Sequence, residues 1–283
     1  MAKTGLQVTG VRVYPVKSME GNYVESARME PWGLAGDRRW ALVNADGGNL
    51  TARRINGLLG LRAEIAGDAG IRIADRSGNT ITVDAPRSGS TISVGFDGLD
   101  RATPAASAAD AWLSERAGAE VRLVWQEDPT ARPVAHEDGG VPGDVVSLAD
   151  AAPLLLVTQL SMDQLNTWVA ENPENAEMAA PLDIVRFRPN VIIDGDVPFG
   201  EDNWARITIG GIEFRRTEMC DRCSIPTIDP LSLERGKEPT RTLAQHRMWD
   251  QKTWFGIRIA PVNFDATGTN VISVGDAVEV ELD

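Results

Sequence analysis

ITIGGIEFRRTEMCDRC, residues 207–223, is the stretch that decides how we interpret the fold. Two runs rich in isoleucine and phenylalanine flank Gly210-Gly211, and two-residue hairpin turns favour glycine because both central positions need a positive φ. The segment therefore predicts a β-hairpin. Its second strand carries the chain to Cys220 and Cys223, which we expect at the end of that strand.

These two cysteines are the only ones in the chain, and they are spaced as CxxC. A thiolate is a soft metal ligand, and the neighbouring Arg222 offers a cation that would lower a thiol pKa or bind a phosphate or carboxylate. The alternative is that both cysteines are small buried apolar residues. The spacing favours a chemical role, so the pair is our first candidate site.

Outward from the hairpin, short strands dominate the pattern and helices are few. Val8–Val13 alternates as a strand does, and Pro15 stops its ladder. Helices are predicted for 105–117, closed by Gly118, and for 240–247. Ser161-Met162-Asp163-Gln164 has the spacing of a capping box, which predicts a helix start at Ser161. The fold class expected is mainly β with a few helices (α+β).

The chain of 283 residues is long enough for two lobes. Residues 126–146 are rich in Asp, Pro and Gly, which predicts a long loop between them. We therefore expect one domain over 1–125 and another over 126–283. In the second, Pro189 predicts that Arg188 is extended, because proline restricts the residue before it.

Composition excludes several functional classes. A net charge of −13 opposes binding to nucleic-acid polymers or anionic membranes. The sequence has no apolar run long enough to span a membrane and no signal peptide, so a cytoplasmic location is the default expectation. Arginine pairs such as Arg38-Arg39 and Arg53-Arg54 could serve an anionic ligand or lie in surface salt bridges.

Familiar cofactor motifs are mostly absent from the sequence. A structural zinc site needs about four Cys or His ligands, and the only histidines, His136 and His246, are far from the cysteines. An iron–sulfur cluster needs about four cysteines. No GxGxxG, P-loop or GxSxG motif occurs. The interpretation that remains is a metal bound by one cysteine thiolate and by ligands from an organic cofactor.

Six short motifs follow one another along the chain: Pro15-Val16-Lys17-Ser18, Gly36-Asp37-Arg38, Thr51-Ala52-Arg53, Phe187-Arg188-Pro189-Asn190, Cys220-Asp221-Arg222-Cys223 with Thr227-Ile228-Asp229-Pro230, and Val274-Gly275-Asp276. Taken in this order, they resemble the MOSC family, in particular its amidoxime-reducing-component branch with an N-terminal MOSC-associated β-barrel. The resemblance covers roughly residues 6–282. It implies an N-terminal β-barrel-like lobe followed by a MOSC β-barrel domain.

The resemblance implies a molybdenum cofactor, with molybdenum bound by a cysteine, a pterin dithiolene and oxygen atoms. Cys223 matches the metal ligand and catalytic residue, while Cys220 is a non-ligand; the reverse assignment stays open. Asp150 is a further possible contact, and the charge of Asp221 favours a backbone contact there. The residues assigned to the cofactor are Lys17, Ser18 and Arg38 at the phosphate, Arg188 and Asn190 at the pterin, and Asp221 and Arg222 beside the metal.

The implied activity is a molybdenum-dependent oxidoreductase that reduces small N-hydroxylated compounds by N–O bond cleavage and oxygen transfer to molybdenum. Because the chain lacks cluster cysteines, its electrons are expected from a separate ferredoxin, cytochrome or flavin reductase. The alternatives are a molybdenum-cofactor carrier or sulfur-delivery module that uses Cys223, and a purely structural role of the motifs in folding a β-barrel.

Overall fold

The computed structural model describes residues 3–87, 89–175, 180–262, 264, 267–268 and 270–283, and most of its elements are strands. Those strands are β1 (Lys3–Val13), β2 (Asn22–Val24), β3 (Ser26–Glu30), β4 (Gly33–Leu34), β5 (Trp40–Val43), β6 (Asn49–Leu50), β7 (Arg62–Ala66), β8 (Gly70–Ala74), β9 (Thr80–Val83), β10 (Ile92–Phe96), β11 (Leu99–Pro104), β12 (Arg122–Trp125), β13 (Leu154–Thr158), β14 (Val191–Ile193), β15 (Trp204–Ile209), β16 (Ile212–Asp221), β17 (Met248–Trp249), β18 (Lys252–Pro261), β19 (Val271–Ser273) and β20 (Ala277–Leu282).

Three α-helices occur among the described residues: α1 (Ser107–Ala117), α2 (Gln159–Glu171) and α3 (Thr240–His246). The expected class, mainly β with a few helices, is therefore confirmed. The predicted closure of α1 is also confirmed, because Gly118 follows it in the left-handed conformation.

The chain folds into two compact units that interleave along the sequence. Unit 1 consists of Met1–Arg12, Val24–Glu30 and Leu154–Asp283, and unit 2 consists of Val13–Tyr23 and Pro31–Pro153. The contiguous domains expected over 1–125 and 126–283 remain a sequence-based proposal.

Unit 1 is built on a closed seven-stranded barrel. Its strand order is β13-β14-β1-β20-β15-β16-β18, and β18 returns to pair with β13. Only the β13–β14 pairing is parallel among these neighbours. Closure leaves the barrel strands without a free edge.

The predicted hairpin forms the β15–β16 pair. Ile209 and Ile212 are opposite each other in the ladder, and Gly210 and Gly211 both have positive φ, as a turn between twisted strands requires. The apolar side chains of these strands, Ile207, Ile209 and Phe214 among them, are buried. Cys220 lies within β16, which ends at Asp221, and Cys223 follows two residues later. The prediction that the two cysteines lie at the end of this strand is therefore confirmed.

Helix α2 begins at Gln159, two positions before the start suggested by the capping-box spacing. Its N-cap is Thr158, whose hydroxyl oxygen accepts from the backbone N–H of Ser161 at 3.2 Å. The Ser161 hydroxyl donates instead to the buried carboxylate of Glu201 at 2.8 Å. The prediction of a cap at Ser161 was wrong because a residue 40 positions away recruits that hydroxyl.

Unit 2 contains a half-barrel and a smaller sheet. The five-stranded sheet has the order β10-β11-β12-β5-β6, and a bridge between Gly48 and Gly95 brings its outer strands together. Strands β7, β8 and β9 form a separate antiparallel sheet. Helix α1 contributes Ala109 and Leu113 to the same buried cluster as Trp40 and Leu123.

In the described part of the chain, no helix is both long and apolar enough to cross a membrane.

Replacing Gly256 with alanine tests barrel closure. Gly256 lies in β18 with φ +76°, and an added Cβ would meet Val157 Cγ1 at 2.7 Å and the Leu156 carbonyl oxygen at 2.8 Å. We expect Gly256→Ala to lower the free energy of unfolding by about 3 kcal/mol, from strain and overpacking together. Urea unfolding measures this change.

Gly211→Ala is the matched control. Gly211 has a similar φ of +83°, but an added Cβ there would meet nothing within 4 Å. Its expected cost is about 1 kcal/mol, from the backbone alone. Equal costs for the two variants would contradict the packing argument at β13.

Candidate functional site

The strand that carries Cys220 is irregular where it approaches the cysteines. Along the β16–β18 ladder the register shifts between Arg216 and Glu218 and again between Met219 and Asp221. Such irregularities bend a strand and redirect its side chains, and they are frequent beside active sites. The ladder ends with Asp221 opposite Trp254, so Cys223 leaves the sheet two residues later.

Arg222 connects this strand end to the segment before β14. Its Nη1 donates to Cys220 Sγ at 2.7 Å, and its Nη2 donates to the Phe187 carbonyl oxygen at 2.9 Å. The guanidinium carbon also lies 5.2 Å from the centroid of the Phe187 ring. Its Nε is buried and has no hydrogen-bond partner among the described residues, so this N–H is available for a further contact.

The two cysteines differ in environment. Cys220 is buried at 5% exposure, whereas Cys223 is partly exposed. Both are free thiols. Within the described residues Cys223 has no hydrogen-bond partner, whereas Cys220 accepts from Arg222. Of the two sulfur atoms, that of Cys220 therefore already accepts a hydrogen bond, and that of Cys223 is available to a ligand.

The carboxylate of Asp221 is already paired with cations. Arg258 Nη2 donates to it at 3.1 Å, and Lys252 Nζ lies 3.8 Å away. Arg258 also bonds to Glu218. Although burial alone would lower the pKa of Arg258, the surrounding Cys220, Glu218 and Asp221 raise it above its ordinary value. The charge of Asp221 is therefore offset locally, which agrees with a backbone rather than side-chain role.

The loop after Cys223 is fixed by Asp229. Its Oδ1 accepts from the backbone N–H groups of Leu231 and Ser232 at 2.9 and 2.8 Å. Arg186 binds the other carboxylate oxygen at 2.5 Å and the Pro226 carbonyl oxygen at 3.3 Å. The Thr227-Ile228-Asp229-Pro230 motif thereby sets the path of the chain beyond the thiol.

Arg188 is not extended as predicted. It ends the helical turn Ile184–Phe187 in the left-handed conformation, with φ 60° and ψ 45°. The following proline disfavours the right-handed helical region but leaves this conformation available. The backbone N–H of Arg188 bonds to the Val185 carbonyl oxygen and stabilises the turn.

Asn190 is buried at 1% exposure and is used by the backbone around it. Its Nδ2 donates to the Arg12 carbonyl oxygen at 3.2 Å, and its Oδ1 accepts from the Leu155 N–H at 3.3 Å. The amide therefore ties β1 to β13 beside β14. Sequence reasoning selected Asn190 as a pterin contact and missed this structural use.

In unit 2, Lys17 is the centre of a second constellation. The residue is buried at 7% exposure, and its ammonium group donates to the Leu148 carbonyl oxygen at 2.8 Å and forms a salt bridge with Asp150. Ser18, next to it, is buried with φ 69°. The described residues thus engage two of the three ammonium protons, which leaves one of them to donate to a ligand.

Arg38 lies in the same unit with its own counter-ion. Its Nη1 donates to Asp37 at 2.6 Å, and its guanidinium carbon lies 4.3 Å from the centroid of the Tyr14 ring. Asp37 is fully buried and also accepts from the Tyr14 backbone N–H at 2.8 Å. Within the Gly36-Asp37-Arg38 motif, the buried Asp37 carboxylate therefore orients the Arg38 guanidinium.

Arg132 is a buried residue that the sequence did not single out. It donates to the Ala149 carbonyl oxygen at 2.7 Å and to the Asp150 carbonyl oxygen at 3.3 Å. These bonds fix the segment that contains Asp150. No pattern around Arg132 distinguishes it, since its partners lie in irregular backbone.

The charges in this unit shift the acidity of their neighbours. Burial lowers the pKa of Lys17 in spite of the opposing effect of Asp150. Lys17 in turn lowers the pKa of Asp150 below its ordinary value, with smaller contributions from Arg53 and Arg38.

Protein side chains alone do not form a metal site in the part of the chain that the structure describes, where no group of three His, Cys, Asp or Glu residues could hold a metal ion. A metal on Cys223 would therefore need ligands from an organic cofactor. The predicted residues fall into two sets: Lys17, Ser18 and Arg38 in unit 2, and Arg188, Asn190, Asp221, Arg222 and Cys223 in unit 1.

Two family models match the chain. Residues 5–120 match the MOSC N-terminal beta barrel domain, and residues 143–279 match the MOSC domain. These matches agree with the half-barrel and the closed barrel described above.

Curated relatives fall into two groups. A molybdenum cofactor sulfurase from Danio rerio is 28% identical over 96% of this chain and 34% of the relative. Mitochondrial amidoxime-reducing component 1 from Xenopus laevis is 27% identical over 96% of this chain and 81% of the relative. The human protein of the same name is 26% identical, with 94% and 80% covered. The chain spans about a third of the sulfurases it matches.

Replacing Asp150 with asparagine tests the Lys17 pair. Because the Asp150 side chain is 63% exposed, water screens the interaction, and we expect a loss of about 1 kcal/mol at neutral pH. A carboxyl group whose pKa is lower in the folded than in the unfolded protein stabilises the fold at pH values above its unfolded-state pKa. This stabilisation is lost as the pH falls through the folded-state pKa. The difference between wild type and Asp150→Asn should therefore shrink below about pH 4.

Urea unfolding across pH measures this difference. Asp84→Asn is the control, because Asp84 is exposed and its side chain has no bond to any described residue. A pH-independent difference for Asp150→Asn would contradict the ion-pair interpretation.

Proposed function

Because the chain belongs to the MOSC-domain family, with a MOSC N-terminal beta barrel domain before the MOSC domain, we propose that it is a molybdenum-cofactor-dependent reductase of N-hydroxylated compounds. The amidoxime-reducing components support this choice, since this chain aligns with about 80% of their length. The proposed metal ligand is Cys223.

The availability of the Cys223 thiol is the observation that carries the proposal. It is partly exposed and, among the described residues, accepts no hydrogen bond, whereas Cys220 is buried against Arg222. A metal approaching this loop would meet Cys223 without displacing a protein contact. The donor chemistry also fits, because thiolate is a soft ligand and molybdenum would take its other ligands from the pterin.

The surrounding residues would orient the cofactor rather than react. The buried Nε–H of Arg222 has no partner in the described part of the chain and can donate to an oxygen or nitrogen of the bound group. Asp221 is neutralised by Arg258 and Lys252, which reduces its repulsion of an anionic cofactor. In unit 2, Lys17, Ser18 and Arg38 remain the residues proposed for a phosphate, with one ammonium N–H of Lys17 still available.

The cofactor, when bound, would supply the two-electron redox chemistry. The reaction balances as R–NH–OH plus two electrons and two protons giving R–NH2 and water. The N–O bond breaks, nitrogen is reduced, and the oxygen leaves as water. A separate donor protein of the ferredoxin, cytochrome or flavin reductase class would provide the electrons, since two cysteines cannot hold an iron–sulfur cluster alone.

A cofactor carrier or sulfur-delivery module is the second candidate. It is favoured by the match to molybdenum cofactor sulfurases, although the chain covers only about a third of those relatives. In this function Cys223 would hold cofactor or sulfur in transit. The cytoplasmic location expected from sequence is equally compatible with both candidates.

Metal content of cysteine variants tests the proposed ligand. In a host that makes the cofactor, wild type should contain near-stoichiometric molybdenum and pterin. Cys223→Ala should lose the metal or its redox activity, because the thiolate ligand is removed. Cys220→Ala, the matched control, should retain molybdenum. Elemental analysis and pterin fluorescence provide the measurements, and a well-folded wild type without either component would overturn the proposal.

Turnover distinguishes the two candidates. With a chemically reduced dye as donor, the wild type should reduce benzamidoxime to benzamidine, and Cys223→Ala should lose at least about 99% of this rate, as removal of a catalytic group does. Transfer of cofactor or sulfur to an apo-enzyme without any reduction would favour the carrier. Direct turnover with NADH alone would contradict the requirement for a separate donor.

A further inference from the structure

Unit 2 contains a basic cavity whose lining residues are not among those assigned to the cofactor. Its volume is about 510 Å³, and it lies beside the β5–β6 turn, the segment after β6 and strand β10. Among the described residues that line it, two are arginines and none is acidic, in a protein with a net charge of −13. The lining residues are Asn44, Gly48, Asn49, Thr51, Arg53, Arg54 and Gly95.

Several hydrogen-bond donors at the cavity bond to no acceptor among the described residues. The exposed Arg54 side chain makes no hydrogen bond or ion pair with any described residue. Asn44 uses its Oδ1 to accept from Asp46 and Gly48 at 3.1 and 2.6 Å, so its amide N–H groups remain available in this part of the structure. The Thr51 hydroxyl oxygen accepts from Arg53 Nε at 3.3 Å, which leaves its proton to donate.

The walls of the cavity are fixed by the backbone. Gly47 has φ +83° and its carbonyl oxygen accepts from the Gly95 N–H at 2.9 Å, which holds the turn against β10. A Cβ at Gly47 would lie 2.2 Å from the Ser93 carbonyl oxygen, and one at Gly48 would lie 3.1 Å from the Asn44 amide. The site therefore needs little rearrangement to bind a ligand, which limits the entropic cost of binding.

Clustered donors and positive charge select an anion with several acceptor oxygens. Arginine forks match phosphate, and charge-assisted hydrogen bonds are the strong ones. The volume, however, falls in the range of small organic ligands, roughly 300–1,000 Å³, and is larger than a bare phosphate needs. The space beside the two asparagines can therefore hold an organic group. Asn49 Oδ1 is buried and has no hydrogen-bond partner among the described residues, so it can accept a hydrogen bond from a ligand donor.

We propose that this cavity binds a phosphate monoester, with the phosphate on Arg53, Arg54 and Thr51 and a hydrogen-bonding organic group beside Asn44 and Asn49. The ligand is a nucleoside monophosphate or a sugar phosphate, which share this chemistry. The inference does not depend on molybdenum or on N-hydroxylated substrates.

Calorimetric titration of the full chain, purified from a host that makes the molybdenum cofactor, tests the proposal. The probes are AMP, GMP, CMP, ribose 5-phosphate and inorganic phosphate. At least one monoester should bind more tightly than inorganic phosphate, and its affinity should fall as salt is raised. Ribose 5-phosphate distinguishes the two sources: a nucleotide that binds better identifies a base contact, and equal binding identifies the sugar phosphate.

Arg54→Gln is the decisive variant because Arg54 is exposed and its side chain bonds to no described residue, so we expect the fold to remain intact. It should weaken monoester binding about tenfold or more, as expected for a lost charge-assisted hydrogen bond. Arg54→Lys should retain part of the affinity through its charge. Arg72→Gln is the matched control, because Arg72 is an exposed arginine of β8 outside the cavity.

Three results would overturn the proposal: no monoester binds, inorganic phosphate binds as tightly as every monoester, or Arg54→Gln binds as wild type does. Thermal unfolding of each variant confirms that its fold is intact. Molybdenum content and benzamidoxime reduction, measured on the same variants, keep a failure here distinct from a failure of the reductase proposal.

Discussion

The pairing of β18 with β13 is the constraint on which unit 1 depends. Without it the strands from β13 to β18 would form an open sheet with two exposed edges. The close approach of the two strands at Gly256 requires a residue without a side chain. Because β18 pairs with β13 on one side and with β16 on the other, barrel closure also fixes the strand that carries Cys220. Cys223 follows this rigid strand by two residues, so the strand limits where the candidate thiol can lie.

The environment at the end of β16 distinguishes the two cysteines, which the CxxC spacing alone does not distinguish. Two register shifts precede the cysteines, and the Arg222 backbone then bonds to the Thr253 carbonyl oxygen at 2.8 Å. This anchor directs the Arg222 side chain back onto Cys220 and the Phe187 carbonyl oxygen. The guanidinium therefore engages one thiol and leaves the other accessible. Spacing alone cannot make this distinction, since it depends on how β16 meets β18.

Local signals in the sequence were reliable where the cause of the structure is local. The Gly210-Gly211 turn and the Gly118 helix end follow from backbone conformations that only a few residues adopt. The start of α2 was missed because Glu201, distant in sequence, recruits the Ser161 hydroxyl. The conformation of Arg188 was missed because proline excludes one backbone region without choosing among the others.

The candidate site was predictable in a similar, partial way. The motifs identified Lys17, Arg38 and Cys223 as residue types suited to an anionic, metal-containing cofactor. They did not reveal Arg132, whose partners are carbonyl groups of irregular backbone, or the use of the Asn190 amide between two strands. Such contacts depend on the tertiary path of the main chain, which no residue pattern near either position records.

At a net charge of −13, the long-range field repels anions, and beyond about 10 Å salt screens it. Recognition of an anionic ligand must therefore come from short-range donors. Several buried cations among the described residues already share those donors with a neighbouring carboxylate, as Arg38 does with Asp37 and Lys17 with Asp150. Arg54, beside a cavity whose described lining is free of acidic side chains, keeps its capacity for a ligand.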